Sequence, residues 1–206
     1  MAEKQGKIYY ITADTLAAAR NSPHLEIFKK KDIEVLLLTD RVDEWLVSHL
    51  SEYKDKHLQS VAKGQLDLGD LEDSADKEKV EKAAEEHKHL IERVKSALGE
   101  AVKEVRVSSR LTESPACLVV DDYDMSQNLA RVLKQLGQDA PMPTPIMELN
   151  LEHPLLQRMD AEADEDQFGE LAKLVFDQAL LAEGGQLADP AGFVHRLNRL
   201  MLDLSA

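Results

Sequence analysis

The sequence predicts an α/β unit followed by an α+β unit. The first, over residues 1–65, is a small parallel βαβα arrangement. The second, over residues 66–206, is a mixed domain with a small three-stranded sheet and a C-terminal helical pair. Three features carry that expectation. Strand and helix patterns alternate through residues 7–50, an acidic stretch with two glycines (GQLDLGDLEDSAD, 64–76) reads as a linker, and two amphipathic helices close the chain.

Composition narrows the possibilities. A chain of 206 residues suits one large domain or two small ones. Its 31% charged and 43% apolar residues are those of an ordinary globular protein. No apolar run reaches the ~18 residues that a membrane-spanning helix needs. The opening MAEKQGKIYY lacks an apolar signal region, so a cytoplasmic location is expected. A single cysteine, Cys117, excludes an internal disulfide framework and sits in an apolar strand pattern, as a packed residue would. The formal net charge of −14 is uneven, with six basic and seventeen acidic side chains over 111–206. That half argues against nucleic-acid or anionic-membrane partners, which need clustered Lys and Arg. Lys29-Lys30-Lys31 is short and fits a helix C-terminus.

Taken in order, Lys7 to Thr12 (KIYYIT) is a buried strand, rich in β-branched and aromatic residues. Asp14 is placed to cap a helix through Arg20, which Asn21-Ser22-Pro23 ends. Leu25 to Lys30 adds a helical turn or two. Ile33 to Leu38 (IEVLLL) is a continuous apolar run, as in a strand covered on both faces. Asp40 then caps a helix marked by Val42, Trp45, Leu46 and Leu50. This alternation implies a right-handed parallel unit. The loop TADT after the first strand has no glycine, so it offers neither a dinucleotide fingerprint nor a phosphate loop. Lys56 to Val61 is a candidate edge strand.

Beyond the linker, Lys77 to Leu98 reads as the longest helix, with Val80, Ala83, Ala84, His87, Leu90, Ile91, Val94 and Leu98 on its stripe and Gly99 as its stop. His87 and His89 lie two apart, on different faces, so they do not have chelating i, i+4 spacing. Ala101–Val107, Ala116–Val120 and Ile146–Leu149 supply the three-stranded sheet. Between the last two, a helix beginning near Asp124 carries Met125, Leu129, Val132, Leu133 and Leu136 on one face. That face either enters the core or is offered in part to a partner.

CLVVDDYDMSQNLARVLKQLG looks like the start of a receiver domain with Asp121-Asp122 as its acidic pair. The later Asp residues Asp164 and Asp166 follow no apolar strand, and that reading fails. Asp160-x-Glu162-x-Asp164 begins like a calcium loop but has Glu165 at the sixth position and Leu171 at the twelfth. Two helices end the chain. One runs from Asp164 to Glu183 with Phe168, Leu171, Leu174, Val175, Ala179 and Ala182 on one side. The other starts at Asp189-Pro190 and carries Phe193, Leu197, Leu200, Met201 and Leu204. Each buried Leu or Phe contributes ~1.5–3 kcal/mol, so these faces need cover. They pack on their own sheet or pair with a second copy in a four-helix bundle.

KIYYITADTLAAARNSPHLEIFKKKDIEVLLLTDRVDEWLVSHL, RLTESPACLV, DQALLAEG and ADPAGFVHRLNRLM together resemble the bacterial heat-shock protein 90 chaperone family over essentially the whole chain. The resemblance implies the end of that family's middle domain over about residues 1–65, then its C-terminal dimerisation domain. ATP and magnesium belong to the family's N-terminal domain, so no cofactor and no ATPase activity are expected in this chain. It further implies a client-binding surface at Glu44, Trp45, Ser48, Met125, Leu129, Val132 and Leu133. A homodimer interface is implied on the two final helices. Partly unfolded clients suit soft Met and Leu surfaces that re-pack at low cost. The ending LMLDLSA lacks the MEEVD tail of eukaryotic cytosolic members, so their tail-docking co-chaperones are not expected. Without the resemblance, the chain would read as a small α/β enzyme domain with a helical appendage. The missing glycine loops and the lack of a Cys/His/Asp constellation count against that.

Overall fold

The computed structural model describes residues 5–71, 74–138 and 141–203. Two mixed sheets organise it, each with its own apolar core. In the first, β1 (Ile8–Thr12) alternates in burial and turns Tyr9 and Ile11 inward, where Tyr9 meets the Phe28 ring edge-on at 4.9 Å. Helix α1 (Leu16–Asn21) is capped one residue later than its sequence suggests. The Thr15 hydroxyl, not Asp14, accepts the Ala18 N–H at 3.1 Å. After a 3-10 turn at Pro23–Leu25 come α2 (Glu26–Lys30), β2 (Val35–Leu38) and α3 (Asp43–His49). Strand β2 pairs with β1 in parallel, Tyr9 opposite Val35, as strand–helix–strand order requires.

The expected edge strand is not at the edge. β3 (Glu52–Tyr53) and β4 (Lys56–Ser60) form a hairpin, and β4 lies between β1 and β3 in the order β2-β1-β4-β3. It pairs parallel to β1 and antiparallel to β3. The stretch after Gly64 is no free linker either. Leu66 and Leu68 are buried in the first core beside Tyr9, Phe28 and Val61.

The second core begins with α4 (Ser74–Glu86) and α5 (Lys88–Leu98), two helices where the periodicity predicts one. His87, at φ −108 and ψ 22, leaves helical geometry between them. Helix α5 buries Leu90, Val94 and Leu98. Then follow β5 (Glu104–Val107), β6 (Ala116–Val119), α6 (Gln127–Gln135), β7 (Ile146–Leu149), α7 (Pro154–Asp160), α8 (Glu165–Ala182) and α9 (Pro190–Asp203). Pro154 at the first helical position, with His153 accepting the Leu155 N–H, starts α7. The sheet order is β5-β7-β6, with β5 parallel and β6 antiparallel to β7.

Alternation along these strands divides the sheet into two unlike faces. Val105, Leu118 and Met147 join Leu90, Val94, Leu156, Phe168 and Val175 in the larger core. The opposite face presents Arg106, Cys117 and Glu148, neighbours in register across the three strands. That face, which also buries Val119 and Ile146 with Leu111, meets the first unit. Among the described residues, no helix is long and apolar enough to cross a membrane.

Candidate functional site at the seam between the sheets

The seam is built on charge. Glu148 sits on the central strand, and Arg110, wholly buried, donates to it from Nε to Oε2 at 2.8 Å and from Nη2 to Oε1 at 3.1 Å. The same guanidinium reaches into the first unit, donating to the Val61 carbonyl and, at 2.8 Å, to the Gly64 carbonyl. Arg106 doubles the arrangement, with Nη2 bonded to Glu148 Oε1 at 2.7 Å and to Gly64 O at 2.9 Å. Ser108 donates to Glu148 Oε2 at 3.1 Å. Burial works to raise the Glu148 pKa, but the two guanidiniums outweigh it and hold the carboxyl below its usual value. Burial is also the main reason the Cys117 thiol is pushed well up, with adjacent Glu148 adding to it. Cys117 is thus a packed residue.

Gly64 is required where it stands. Its φ is +55, and a Cβ there would fall 2.0 Å from a carboxylate oxygen of Asp122. Its N–H donates to Val120 O at 2.8 Å, and Lys63 bridges Val120, so backbone bonds join the two units beside the ionic ones. Glu26 closes the other end of the seam. Its carboxylate accepts the N–H groups of Thr112 (2.6 Å), Glu113 (2.7 Å) and Ser114 (3.1 Å). Burial tends to raise Glu26, and the Ser114 side chain together with these backbone donors more than reverses it. Buried His24 lies with Nε2 2.9 Å from Glu183 Oε1, just beyond α8.

At a corner of this seam α3, which carries Glu44, Trp45 and Ser48, is bonded to the segment that starts α6. Trp45 is 41% exposed on α3, flanked by exposed Val42 and Leu46. Glu44, its neighbour in sequence, is turned inward and only 4% exposed. Its carboxylate accepts from Ser126 Oγ at 2.9 Å and from Asn128 Nδ2 at 2.6 Å, which brings the start of α6 against α3. Met125 precedes Ser126 and is 37% exposed.

Helix α6 starts later than predicted. Ser126 is the cap, accepting the Leu129 N–H at 2.9 Å, so Met125 stands before the helix rather than on its first turn. Its face is split. Ala130 and Val132 are buried, Leu129 and Leu133 half-buried, and Leu136 exposed. Ser48 is exposed, with its hydroxyl donating to Trp45 O at 2.8 Å.

On the final helices, Phe168 and Val175 belong to the chain's own core, so neither faces a partner in this conformation. Leu171, Phe193, Leu197 and Leu200 are half-buried, and Met201 is exposed. Leu204 lies outside the described residues.

The model of the Hsp90 protein family matches residues 1–205. The chain belongs to the Hsp90 family. It is 61% identical over 206 residues to the chaperone protein HtpG of Dechloromonas aromatica, covering all of this chain and 32% of that protein. The HtpG proteins of Chromobacterium violaceum and Pseudoalteromonas translucida are 60% and 57% identical over 205 residues, again with 32% of each relative covered. The chain therefore spans about a third of the length of the curated relatives it matches.

Sequence reasoning on this Hsp90 chain missed Glu26, Arg106, Arg110 and Glu148. The one available signal was a carboxylate inside the strand IMEL, at a position where a buried sheet leaves no room for an unpaired charge.

Proposed function

We propose that this chain is the client-binding and homodimerisation module of an ATP-dependent chaperone, comprising the end of a middle domain and a C-terminal domain. One observation carries the reading. Large apolar side chains stand in solvent where α3 meets the start of α6, with Val42, Trp45, Leu46, Tyr123 and Met125 all exposed and the two segments hydrogen-bonded through Glu44. Exposed apolar residues gathered at one place mark an interaction surface. Trp and Met suit varied, partly unfolded partners, Trp for its contact area and Met for its pliability. The HtpG name of the relatives agrees with a chaperone role. On this reading ATP and magnesium act in the part of the longer relatives that this chain does not span, and the chain itself performs no nucleotide chemistry.

The test pairs client affinity with thermal stability in Trp45→Ala and Met125→Ala. Both side chains are exposed, so melting temperatures should stay within a few degrees of the parent. Affinity for a permanently unfolded protein should fall about tenfold or more, since interface anchors lose ~2 kcal/mol or more on truncation. Unchanged affinity in both variants overturns the proposal.

A further inference from the structure

We infer that Glu44 is a positioning residue for the client surface. Its buried carboxylate clamps the start of α6 to α3 and thereby fixes the segments that carry Trp45 and Met125 relative to one another, without itself touching the client. The inference rests on the client-surface reading above and assigns Glu44 a different task within it.

The two ends of the Glu44 carboxylate are spoken for by one element. Oε2 takes the Ser126 hydroxyl and Oε1 takes the Asn128 amide, both at the start of α6. Ser126 Oγ also accepts the Leu129 N–H at 2.9 Å. Its proton therefore points to Glu44 while a lone pair caps the helix, and one side chain both begins α6 and ties it to α3. Asn128 is fixed from both sides. Its amide nitrogen donates to Glu44, and its Oδ1 accepts from Arg131 Nη2 at 2.7 Å. Arg131 in turn donates to Gly184 O at 2.7 Å and pairs with Asp14 at 2.7 Å. The clamp thus continues to the loop after β1 and to the end of α8.

Burial separates this role from direct contact. Trp45 and Leu46, on the same turn of α3, are 41% and 48% exposed, whereas Glu44 is at 4%. A carboxylate so enclosed needs partners close by, and it has two donors from α6. Lys63 adds a positive charge to its surroundings, with Nζ held on Asp124 O at 2.6 Å. A side chain that offered its charge to a client would stand in water beside Trp45. Helix α6 is short, at nine residues, and such a helix depends on its docking contacts for order.

The experiment uses the whole 206-residue chain. Binding of reduced, carboxymethylated α-lactalbumin is measured by fluorescence anisotropy well below the melting temperature, and amide exchange is followed across residues 127–135. Glu44→Ala should weaken client binding about tenfold and speed exchange in α6. Glu44→Gln should recover most of that affinity, because a glutamine oxygen still accepts from Asn128 and its amide can donate to the Ser126 hydroxyl. Adding Asn128→Ala to Glu44→Ala should bring little further loss, since one bridge cannot be broken twice. If Glu44→Ala does not fold, Asn128→Ala removes one of the two bonds from the α6 side, and a smaller loss of affinity with faster α6 exchange is expected, parental values in both overturning the positioning role. Glu44→Gln binding as poorly as Glu44→Ala, with α6 exchange at the parental rate, would show the charge meeting the client and overturn the inference. Parental affinity in Glu44→Ala, beside a clear loss in Trp45→Ala, overturns the positioning role alone. Parental affinity in both Trp45→Ala and Met125→Ala overturns the client surface and this role with it.

Discussion

Glu148 holds a charge in the middle strand of a three-stranded sheet, where a carboxylate alone would cost several kcal/mol. Arg110 and Arg106 make the position tenable, and the same two residues cap the Val61 and Gly64 carbonyls of the first unit. Removing the charge should therefore do more than loosen one pair. Glu148→Gln leaves a fully buried guanidinium short of its counter-ion, and a loss of about 3–5 kcal/mol is expected in a urea melt. An apolar swap of both partners, Arg110→Met with Glu148→Leu, should not restore stability as it does in some proteins. The Val61 carbonyl would lose its arginine donor, at a cost of about 1–3 kcal/mol for an unmet buried acceptor, and Arg106, still bonded to Gly64 O, would lose its carboxylate partner. The pH dependence has the same origin. Glu148 and Glu26 have pKa values lowered by folding, so their contribution is complete above the unfolded carboxylate range, near 4.3, and fades as pH falls through the depressed folded values. The gap between the melts of parent and Glu148→Gln should be full at pH 7 and narrower at pH 3, because below the unfolded range protons bind the unfolded carboxylate first. A double variant as stable as the parent, or a gap unchanged at low pH, would contradict this account.

At the scale of elements, the turn between β3 and β4 shows why a hairpin can escape notice in a sequence. Lys54 and Asp55 both have positive φ, 49 and 60, which is the two-residue geometry that matches strand twist. Asn-Gly is the usual occupant, and Lys-Asp announces nothing. Replacing the pair with Asn-Gly removes Cβ crowding at position 55 and should stabilise the chain by about 1 kcal/mol, seen as a rise of a few degrees in melting temperature. A fall instead would mean that the Lys54 ammonium over the Tyr53 ring, 5.3 Å from its centroid, matters more than backbone strain. Elsewhere, legibility followed local chemistry. KIYYIT and the apolar run to Leu38 gave parallel neighbours because side-chain pattern alone governs them. Helix α9 was marked by Asp189-Pro190, where the Asp189 carboxylate accepts the Gly192 N–H at 2.9 Å. The break at His87 was hidden because the apolar stripe continues across it into α5. The seam was hidden for a different reason. Arg110 and Glu148 are far apart in the chain, and no local pattern links a polar residue to a partner that only the fold supplies.

At the scale of the whole molecule, α9 carries apolar residues on two sides, and α8 packs against one of them. Arg196 pairs with Asp177 at 2.7 Å, and Phe193, Leu197 and Leu200 are half-buried along the helix, so one side is settled against α8. Val194, Met201 and Leu202 occupy i, i+7 and i+8 positions and are exposed, Leu202 at 71%. Leu181 near the end of α8 is exposed as well. Within the homodimerisation proposed above, a second copy would cover this face as a bundle of α8 and α9 from each chain. A two-fold contact suits it, since the same patch meets itself. Val194→Glu with Leu202→Glu is the sharper test than a change at Leu197, which also touches the chain's own packing. The double variant should keep a melting profile like the parent's at concentrations where both are monomeric, because no core contact is lost. In sedimentation at micromolar concentration the parent should run at twice the chain mass and the variant at the chain mass, since four carboxylates would face one another across the contact. A dimer that survives these substitutions would place the contact elsewhere. A monomeric parent would leave the exposed side of α9 to another partner.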